Sequence, residues 1–215
     1  MAEETYKLTY FDLRARAEPA RAMLTMAGQK FEDIRVLPQN WENLKPETPL
    51  GFLPILETSR GTICQTPVIN YYVAEKTGYL PDDEFERVQC NSILHTLNDL
   101  SAFVSKNVLL SELYKHCPSP DNIDELKEQA RYELRKTSTF IQGLSRKGSK
   151  FIFGDKMTAA DITMFCSWML IEPVFPRSKS KEDWLNKFME SMETDSKFAK
   201  YLQERPDDIL SRAAT

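Results

Sequence analysis

The pattern of hydrophobic residues changes near residue 80, and this change constrains the fold more than any other feature of the chain. Before it, short runs with strand-like alternation are separated by helical runs, whereas after it the apolar residues recur almost wholly at helical spacing. Two domains are therefore expected. An α/β domain covers 1–80 and an all-helical domain covers 81–215, with a short linker from Leu80 to Asp83 between them.

The first half of the α/β domain has the pattern of a β-α-β unit. Tyr6, Leu8 and Tyr10 alternate with polar residues, which predicts a strand with one buried face. A helical run follows and is stopped by Gly28, and a second strand is expected over 31–36. Because the connection between the two strands is the size of a helix, the strands should be parallel.

The second half of this domain predicts a hairpin and a helix. A polar loop punctuated by prolines runs over 38–51, and two strand-like segments then flank a turn within 53–64. Thr66 followed by Pro67 has the form of an N-cap with proline at the first helical position. The predicted order is β-α-β, loop, β-β-α.

The remainder of the chain predicts packed helices. One long amphipathic helix begins near Phe85, and another is expected over 123–144. Thr158 and Asp161 have the spacing of a capping box just before an apolar run, with Asp in place of the usual Glu. A buried central helix should start there.

Composition and charge exclude several classes of function. The net charge is −4 and the pI about 5.4, so we expect neither nucleic acid nor an anionic membrane as a partner. No secretory signal or spanning segment is visible, which predicts a cytoplasmic protein. Four cysteines without a C-x-x-C pair are expected as reduced, mostly core thiols, and two histidines leave little material for a metal site or a His-based triad.

Several motifs occur together and in order along nearly the whole chain: YKLTYF from Tyr6, RARAE from Arg14, Leu53-Pro54, Gln65-Thr66, and GDKMTAAD from Gly154. In this combination the chain resembles a sigma-class cytosolic glutathione transferase, a group related to prostaglandin D synthase of the haematopoietic type and to S-crystallins. The resemblance implies a thioredoxin-like β-α-β-β-β-α domain followed by an all-helical domain. It also implies a homodimer that uses glutathione as a co-substrate, with no cofactor.

The resemblance gives catalytic roles to Tyr10 and Arg16. The Tyr10 hydroxyl would donate a hydrogen bond to the glutathione sulfur and so favour its thiolate. Arg16, just before the first helix, would support the same negative charge. From the residues alone, Tyr10 could equally be a half-buried strand tyrosine, and Arg14 and Arg16 could be solvated surface groups.

The same resemblance implies that glutathione contacts three separate parts of the chain. A cis bond at Leu53-Pro54 would leave backbone groups free for the cysteinyl part, whereas a trans proline at a strand start is the ordinary alternative. Gln65 and Thr66, at a helix N-terminus, would hold the γ-glutamyl carboxylate, although Thr66 could also simply cap its helix. The loop residues Trp41 and Lys45 would bind the glycyl end.

A second chain would complete the site, because Asp99 matches the residue that reaches the partner's glutathione amine in the family. On its own, Asp99 would be an exposed helix acid. The electrophile pocket would be lined by Phe11, Leu13 and Ala15. At Ala15 the family pattern has glycine, so this methyl group should narrow the pocket or demand a backbone angle that glycine accepts more easily.

Conjugation of small hydrophobic electrophiles is the activity that these residues favour. A glutathione-dependent prostaglandin D synthase is an alternative, although the extra acids and aromatic wall of such enzymes are replaced here by His95, Asn98, Ser105 and Lys106. A crystallin-like structural protein of the same fold is a second alternative. The retained Tyr10, Gln65 and Asp99 argue against it.

Overall fold

The protein is described by a computed structural model that covers residues 5–109, 119–172, 174–176 and 183–209. These residues form two compact units. One contains the residues up to Leu80 together with those from Asp195 onward, and the other is Pro81–Thr194. The first unit thus takes in the last described helix, which the sequence pattern did not indicate.

The first unit is built on a four-stranded sheet in the order β2-β1-β3-β4. Its strands are β1 (Tyr6–Phe11), β2 (Glu32–Val36), β3 (Ile55–Thr58) and β4 (Gly61–Cys64). β1 pairs in parallel with β2 and antiparallel with β3, and β3 forms a hairpin with β4. The predicted order of strands and the parallel first pair are confirmed.

The described α-helices are α1 (Glu18–Met26), α2 (Trp41–Leu44), α3 (Thr66–Thr77), α4 (Glu84–Val104), α5 (Ile123–Leu144), α6 (Ala159–Ile171), α7 (Asp183–Glu193) and α8 (Ser196–Glu204). α1 and α3 pack on each other, and α8 packs on α1. The expected α/β part followed by a helical part is therefore confirmed, as are the limits predicted for α5.

The segment predicted as a loop over 38–51 contains short helices. Besides α2, the structure has 3-10 helices at Pro38–Asn40 and Lys45–Glu47. Pro38 and Pro46 lie at the starts of these two helices, where the fixed φ of proline fits and its missing N–H is not needed. The prolines that suggested a loop therefore begin helical turns.

α6 is the central buried helix of the second unit, and the capping box predicted at its start is confirmed. The Asp161 carboxylate accepts hydrogen bonds from the Thr158 N–H at 2.7 Å, the Thr158 hydroxyl at 2.6 Å and the Ile152 N–H at 2.8 Å. Complete burial raises the pKa of Asp161 to about 6. The box therefore fixes both the helix and the chain segment before it.

Cys90 and Cys166 are buried, Cys64 is half-buried, and Cys117 lies outside the described residues. Burial raises the pKa of the Cys90 thiol to about 12. Within the described ranges no group of three or more His, Cys, Asp or Glu side chains could hold a metal ion. None of the helices described is both long and apolar enough to span a membrane.

Candidate active site

Tyr10 lies on β1, which has a neighbouring strand on each side, one residue before the strand ends. Its side chain is 6% exposed, and its ring meets the Phe11 ring edge-on with centroids 5.7 Å apart. The guanidinium carbon of Arg21 lies 5.9 Å from the centre of the Tyr10 ring. Packing therefore fixes the ring, with a cationic group over its face.

The turn after β1 carries the strained residue of the site. The Leu13 N–H donates to the Phe11 carbonyl at 2.7 Å, and a 3-10 helix over Ala15–Ala17 leads into α1. Ala15 has φ +30°, a region that residues with a side chain adopt at a cost. The prediction that this position requires an angle better suited to glycine is confirmed.

The two arginines of this turn differ in their surroundings. One Nη of Arg14 lies 3.4 Å from an Asp207 carboxylate oxygen and 3.5 Å from the Pro206 carbonyl. Arg16 is half-buried, and no ion pair or hydrogen bond of its side chain occurs within the described residues. The guanidinium donors of Arg16 thus have no partner among the described residues, whereas the guanidinium of Arg14 is held by the segment after α8.

A cluster of charged side chains that the sequence analysis missed lies behind this turn. Arg21 donates to the Leu13 carbonyl at 2.6 Å and to Asp33 at 2.9 Å. Arg35 donates to Asp33 at 2.8 Å and to Asp12 at 3.3 Å. Although burial opposes it, hydrogen bonds with Asp33 and Asp12 hold the pKa of the Arg35 guanidinium above its ordinary value.

The cluster continues to Glu18, the first residue of α1, which is 3% exposed. Its carboxylate accepts hydrogen bonds from the Tyr201 hydroxyl at 3.0 Å and from Arg205 at 2.9 Å. The sequence does contain a signal for this cluster. Glu18 and Arg21 stand three positions apart on a helix that is otherwise largely apolar. Charged side chains on such a face are buried only when they are paired.

The peptide bond between Leu53 and Pro54 is cis, as the resemblance predicted, and it lies directly before β3. Both side chains are buried. Within the described chain no hydrogen-bond partner is found for the backbone of Leu53. Its N–H and carbonyl are therefore unpaired within the described chain, two residues before β3 begins.

The start of α3 differs from the sequence prediction by one residue. The helix begins at Thr66, and the Gln65 carbonyl accepts its first hydrogen bond, from the Ile69 N–H at 2.9 Å. The predicted N-cap role of Thr66 is wrong, because Thr66 is already helical and Gln65 occupies the cap position without a side-chain cap bond. Gln65 has φ +76°, uncommon for a residue with a side chain.

The N-terminus of α3 is suited to a negative group. Its first backbone amides have no intrahelical partner, and the helix dipole adds positive potential there. No acidic side chain lies in its first turn. A carboxylate beside Gln65 and Thr66 would therefore find donors and no competing charge.

Trp41 begins α2, and Lys45 begins the 3-10 helix that follows four residues later. The Trp41 ring meets the Phe11 ring at 70° with centroids 5.2 Å apart. Lys45 is exposed and has no acidic partner in the part of the chain that the structure describes. The Trp41 contact thus ties this segment to the end of β1.

The remaining predicted residues lie in both units. Leu13 and Ala15 are half-buried in the turn that also carries Arg16. Asp99 is an exposed residue of α4, in the second unit, with no ion pair among the described residues. The structure therefore brings Tyr10, Phe11 and Trp41 into contact within one unit and places Asp99 in the other.

Comparison with known proteins assigns the family. The glutathione S-transferase N-terminal domain profile matches residues 6–75, and the glutathione S-transferase C-terminal domain profile matches residues 121–205. Glutathione S-transferase 1 of Ascaris suum is 31% identical over 202 residues, which cover 94% of this chain and 97% of that protein. The chain belongs to the glutathione S-transferase family.

Solved structures of the family support the same fold. The glutathione S-transferase of Ascaris lumbricoides gives a TM-score of 0.81 at 30% identity and covers 94% of this chain and 98% of its own. Na-GST-3 of the hookworm Necator americanus, described as monomeric, gives 0.82 at 25% identity, with coverage of 95% and 99%. The predicted thioredoxin-like domain followed by an all-helical domain is confirmed, and the protein is a glutathione transferase.

A relative with a different named activity is also similar to this transferase. Hematopoietic prostaglandin D synthase of Gallus gallus is 33% identical over 159 residues, which cover 73% of this chain and 74% of that protein. Its name describes that protein alone.

Proposed function

We propose that this glutathione transferase is of the sigma type and joins the thiolate of glutathione to small hydrophobic electrophiles in the cytoplasm, as a detoxification reaction. The observation that carries the proposal is the buried Tyr10 at the end of β1, followed by a turn that presents Arg16 without a partner among the described residues. A thiol has a pKa of about 8.5, and a hydrogen bond to its charged form lowers that value. More thiolate is then present at neutral pH.

The remaining residues hold the tripeptide so that the sulfur reaches Tyr10. The amides of Gln65 and Thr66 at the start of α3 bind the γ-glutamyl carboxylate, and the backbone of Leu53 pairs with the cysteinyl part. Lys45 neutralises the glycyl carboxylate and Trp41 donates from its indole N–H. No cofactor or metal takes part.

The reaction itself is a nucleophilic attack within the bound pair. The thiol proton passes to solvent, the thiolate forms a sulfur–carbon bond with the electrophile, and a leaving group departs with the displaced electron pair. Phe11, Leu13 and Ala15 hold the apolar part of the electrophile beside the sulfur. Proximity and thiolate activation supply the rate increase.

The roles proposed for the two domains follow the sequence prediction. Residues 1–80 bind glutathione, and residues 81–215 contribute contacts to the electrophile and to the second chain of the dimer. A homodimer is supported by apolar side chains on both units, since Leu50 is 54%, Phe85 68% and Val88 62% exposed. In that dimer Asp99 of each chain would bind the glutathione amine of its partner. One structural neighbour is described as monomeric, so the assembly state needs a direct measurement.

The function is tested by titrating the protein with glutathione in a calorimeter and by assaying conjugation of an activated aryl halide. We expect binding in the micromolar to millimolar range, on the scale of ordinary substrate constants of about 1 μM to 1 mM, and turnover that saturates in glutathione. Prostaglandin H2 is supplied in parallel and its product analysed. Absence of glutathione binding contradicts the proposal, and isomerisation without conjugation selects the prostaglandin synthase alternative. Binding without any turnover selects the crystallin-like alternative.

The dimer is tested by mixing two variants, each impaired at one residue of the site. In a mixed dimer of Tyr10→Phe and Asp99→Asn chains, one site combines an intact Tyr10 with an intact Asp99 from the other chain, so activity should return on mixing. Sedimentation of each variant alone checks that both still assemble. If Asp99 serves its own chain, mixing restores nothing.

A further inference from the structure

The segment that follows α8 lies along the turn between β1 and α1. The Asp208 carboxylate accepts the Arg14 backbone N–H at 3.0 Å, and the Ile209 N–H donates to the Asp12 carbonyl at 3.0 Å. These bonds join positions more than 190 residues apart in sequence, since Arg14 and Asp208 are separated by 194. The beginning and the middle of the turn are thus held by one short segment.

The end of the same turn is held by Tyr201 of α8 and by Arg205, the first residue after that helix. Glu18 accepts hydrogen bonds from Tyr201 and Arg205, and the Glu18 N–H in turn donates to the Arg14 carbonyl at 3.1 Å. Arg21 adds a bond to the Leu13 carbonyl. Every backbone position from Asp12 to Arg14 therefore has a hydrogen bond to a fixed partner.

Ala15 explains why such support is needed. Its φ of +30° is opposed by the local preference of a residue with a side chain, and conformations of this kind persist only where the surrounding structure determines them. The side chain of Arg16, the next residue, makes no hydrogen bond or ion pair within the described chain. The direction of Arg16 is thus set by the backbone before it.

Asp208 is a buried charged member of this support. It is 5% exposed, whereas the side chain of its neighbour Asp207 is 71% exposed in its pair with Arg14. A buried carboxylate that accepts a backbone N–H makes a strong hydrogen bond, whereas exposed ion pairs contribute little. The two adjacent acids therefore differ sharply in what they can hold in place.

We propose that Asp208 is a positioning residue for the glutathione thiolate. By fixing the Arg14 N–H it holds Ala15 in its left-handed conformation and so keeps Arg16 where it supports the sulfur. The inference rests on the proposed function, because it concerns the thiolate of that same site. It makes Asp208, in the segment after α8, part of the machinery that sets thiol acidity.

The test compares Asp208→Ala with Asp208→Asn, which keeps one acceptor oxygen, and with Asp207→Ala as the matched exposed acid. For each folded variant the thiolate absorbance of bound glutathione and the conjugation rate are measured across pH. For Asp208→Ala we expect the thiol pKa to rise by about one unit, with about a tenfold lower rate near pH 6.5 that shrinks to about twofold near pH 9. The KM for glutathione should change by less than about threefold, and Asp208→Asn should recover most of the loss. Asp207→Ala should stay within about twofold of the unmodified protein at every pH.

An unchanged thiol pKa in Asp208→Ala, or a loss of rate that is the same at every pH and follows the folded fraction, overturns the inference. If the alanine variant does not fold, Asp208→Glu, which moves the carboxylate by one methylene, is measured in its place. A smaller rise in thiol pKa is then expected, and no rise overturns the inference. If the unmodified protein fails to bind glutathione, the proposed function fails first and the inference falls with it. If the unmodified protein binds and conjugates glutathione normally, the results for the Asp208 variants test the inference alone.

Discussion

The guanidinium of Arg21 lies over the ring of Tyr10, 5.9 Å from its centre, while the same group is bonded to Asp33 and to the Leu13 carbonyl. One buried cation therefore connects the candidate catalytic ring to β2 and to the turn after β1. The ring is held by Arg21 over its face and by an edge-on contact with the Phe11 ring. Loss of the hydroxyl should therefore leave the ring in place.

Tyr10→Phe should slow conjugation while leaving the fold intact. A hydrogen bond to a charged partner contributes about 1.5–3 kcal/mol, which corresponds to about one to two units of thiol pKa and about ten- to hundredfold in rate at neutral pH. Glutathione affinity should fall much less. The measurement is the thiolate absorbance of bound glutathione and the conjugation rate across pH. Tyr6→Phe, at the other end of β1, is the control and should keep both the thiol pKa and the conjugation rate. An unchanged thiol pKa in Tyr10→Phe would assign the thiolate donor elsewhere, with Arg16 as the first candidate.

Ala15→Gly should not destabilise the protein, although glycine substitutions usually do. The left-handed conformation costs a residue with a side chain about 1–2 kcal/mol, and glycine removes that cost while losing about 0.4–1 kcal/mol to the greater freedom of the unfolded chain. The midpoint of urea unfolding should therefore stay the same or rise slightly. Bulky electrophiles should also react faster relative to small ones, because the methyl group leaves the pocket.

Ala17→Gly is the matched control for that change. Ala17 belongs to the same 3-10 helix, but it has φ −88° and is 1% exposed. Glycine there should destabilise the protein by about 0.5–1 kcal/mol or more, since it gains freedom in the unfolded chain and removes a buried methyl group. Equal losses of stability in the two variants would contradict the role of the Ala15 backbone angle.

Asp161→Asn should change how stability depends on pH. The folded pKa of Asp161 is about 6, above its usual value of 3.8, so the folded protein binds this proton more tightly than the unfolded chain does. The stabilisation is fully present below about pH 4 and is lost as pH rises through about 6, a change of about 3 kcal/mol. Urea unfolding of both proteins between pH 4 and pH 7.5 measures the difference in unfolding free energy. That difference should shrink with rising pH; parallel curves would show that Asp161 does not titrate in this range.

The cysteines should react in an order set by burial. At pH 8 the Cys90 thiol, with a pKa of about 12, has almost no thiolate, and Cys166 is 6% exposed. Iodoacetamide followed by peptide mass spectrometry should label Cys64 in the folded protein and label Cys90 and Cys166 only in urea. Because Cys64 precedes Gln65, S-methylglutathione should slow its labelling. Labelling of Cys90 before Cys64, or no protection at all, would contradict the described burial or the placement of the γ-glutamyl site.

Local patterns in the sequence were enough for much of the fold. The limits of α5 and the box formed by Thr158 and Asp161 depend on neighbours within one or two helical turns, so single-sequence periodicity and spacing predict them. The start of α3 was missed by one residue because threonine before proline suits the cap and the first helical position alike. The bonds of Glu18 to Tyr201 and Arg205 span 183 and 187 positions, and no local pattern encodes partners at that distance.

The first unit is also the last to receive all of its parts during synthesis on the ribosome. Strand β1 is translated early, but the partners that α8 and the segment after it supply to Asp12, Arg14 and Glu18 are made only after the whole of Pro81–Thr194. That stretch is continuous and can fold as a unit while the sheet before it still lacks α8. Until residues beyond Asp195 leave the exit tunnel, Glu18 lacks its hydrogen bonds with Tyr201 and Arg205. The segment that is translated first therefore gains its last contacts at the end of synthesis. Any pause in translation between the two ends prolongs the time during which the incomplete, charged first unit is exposed to solvent.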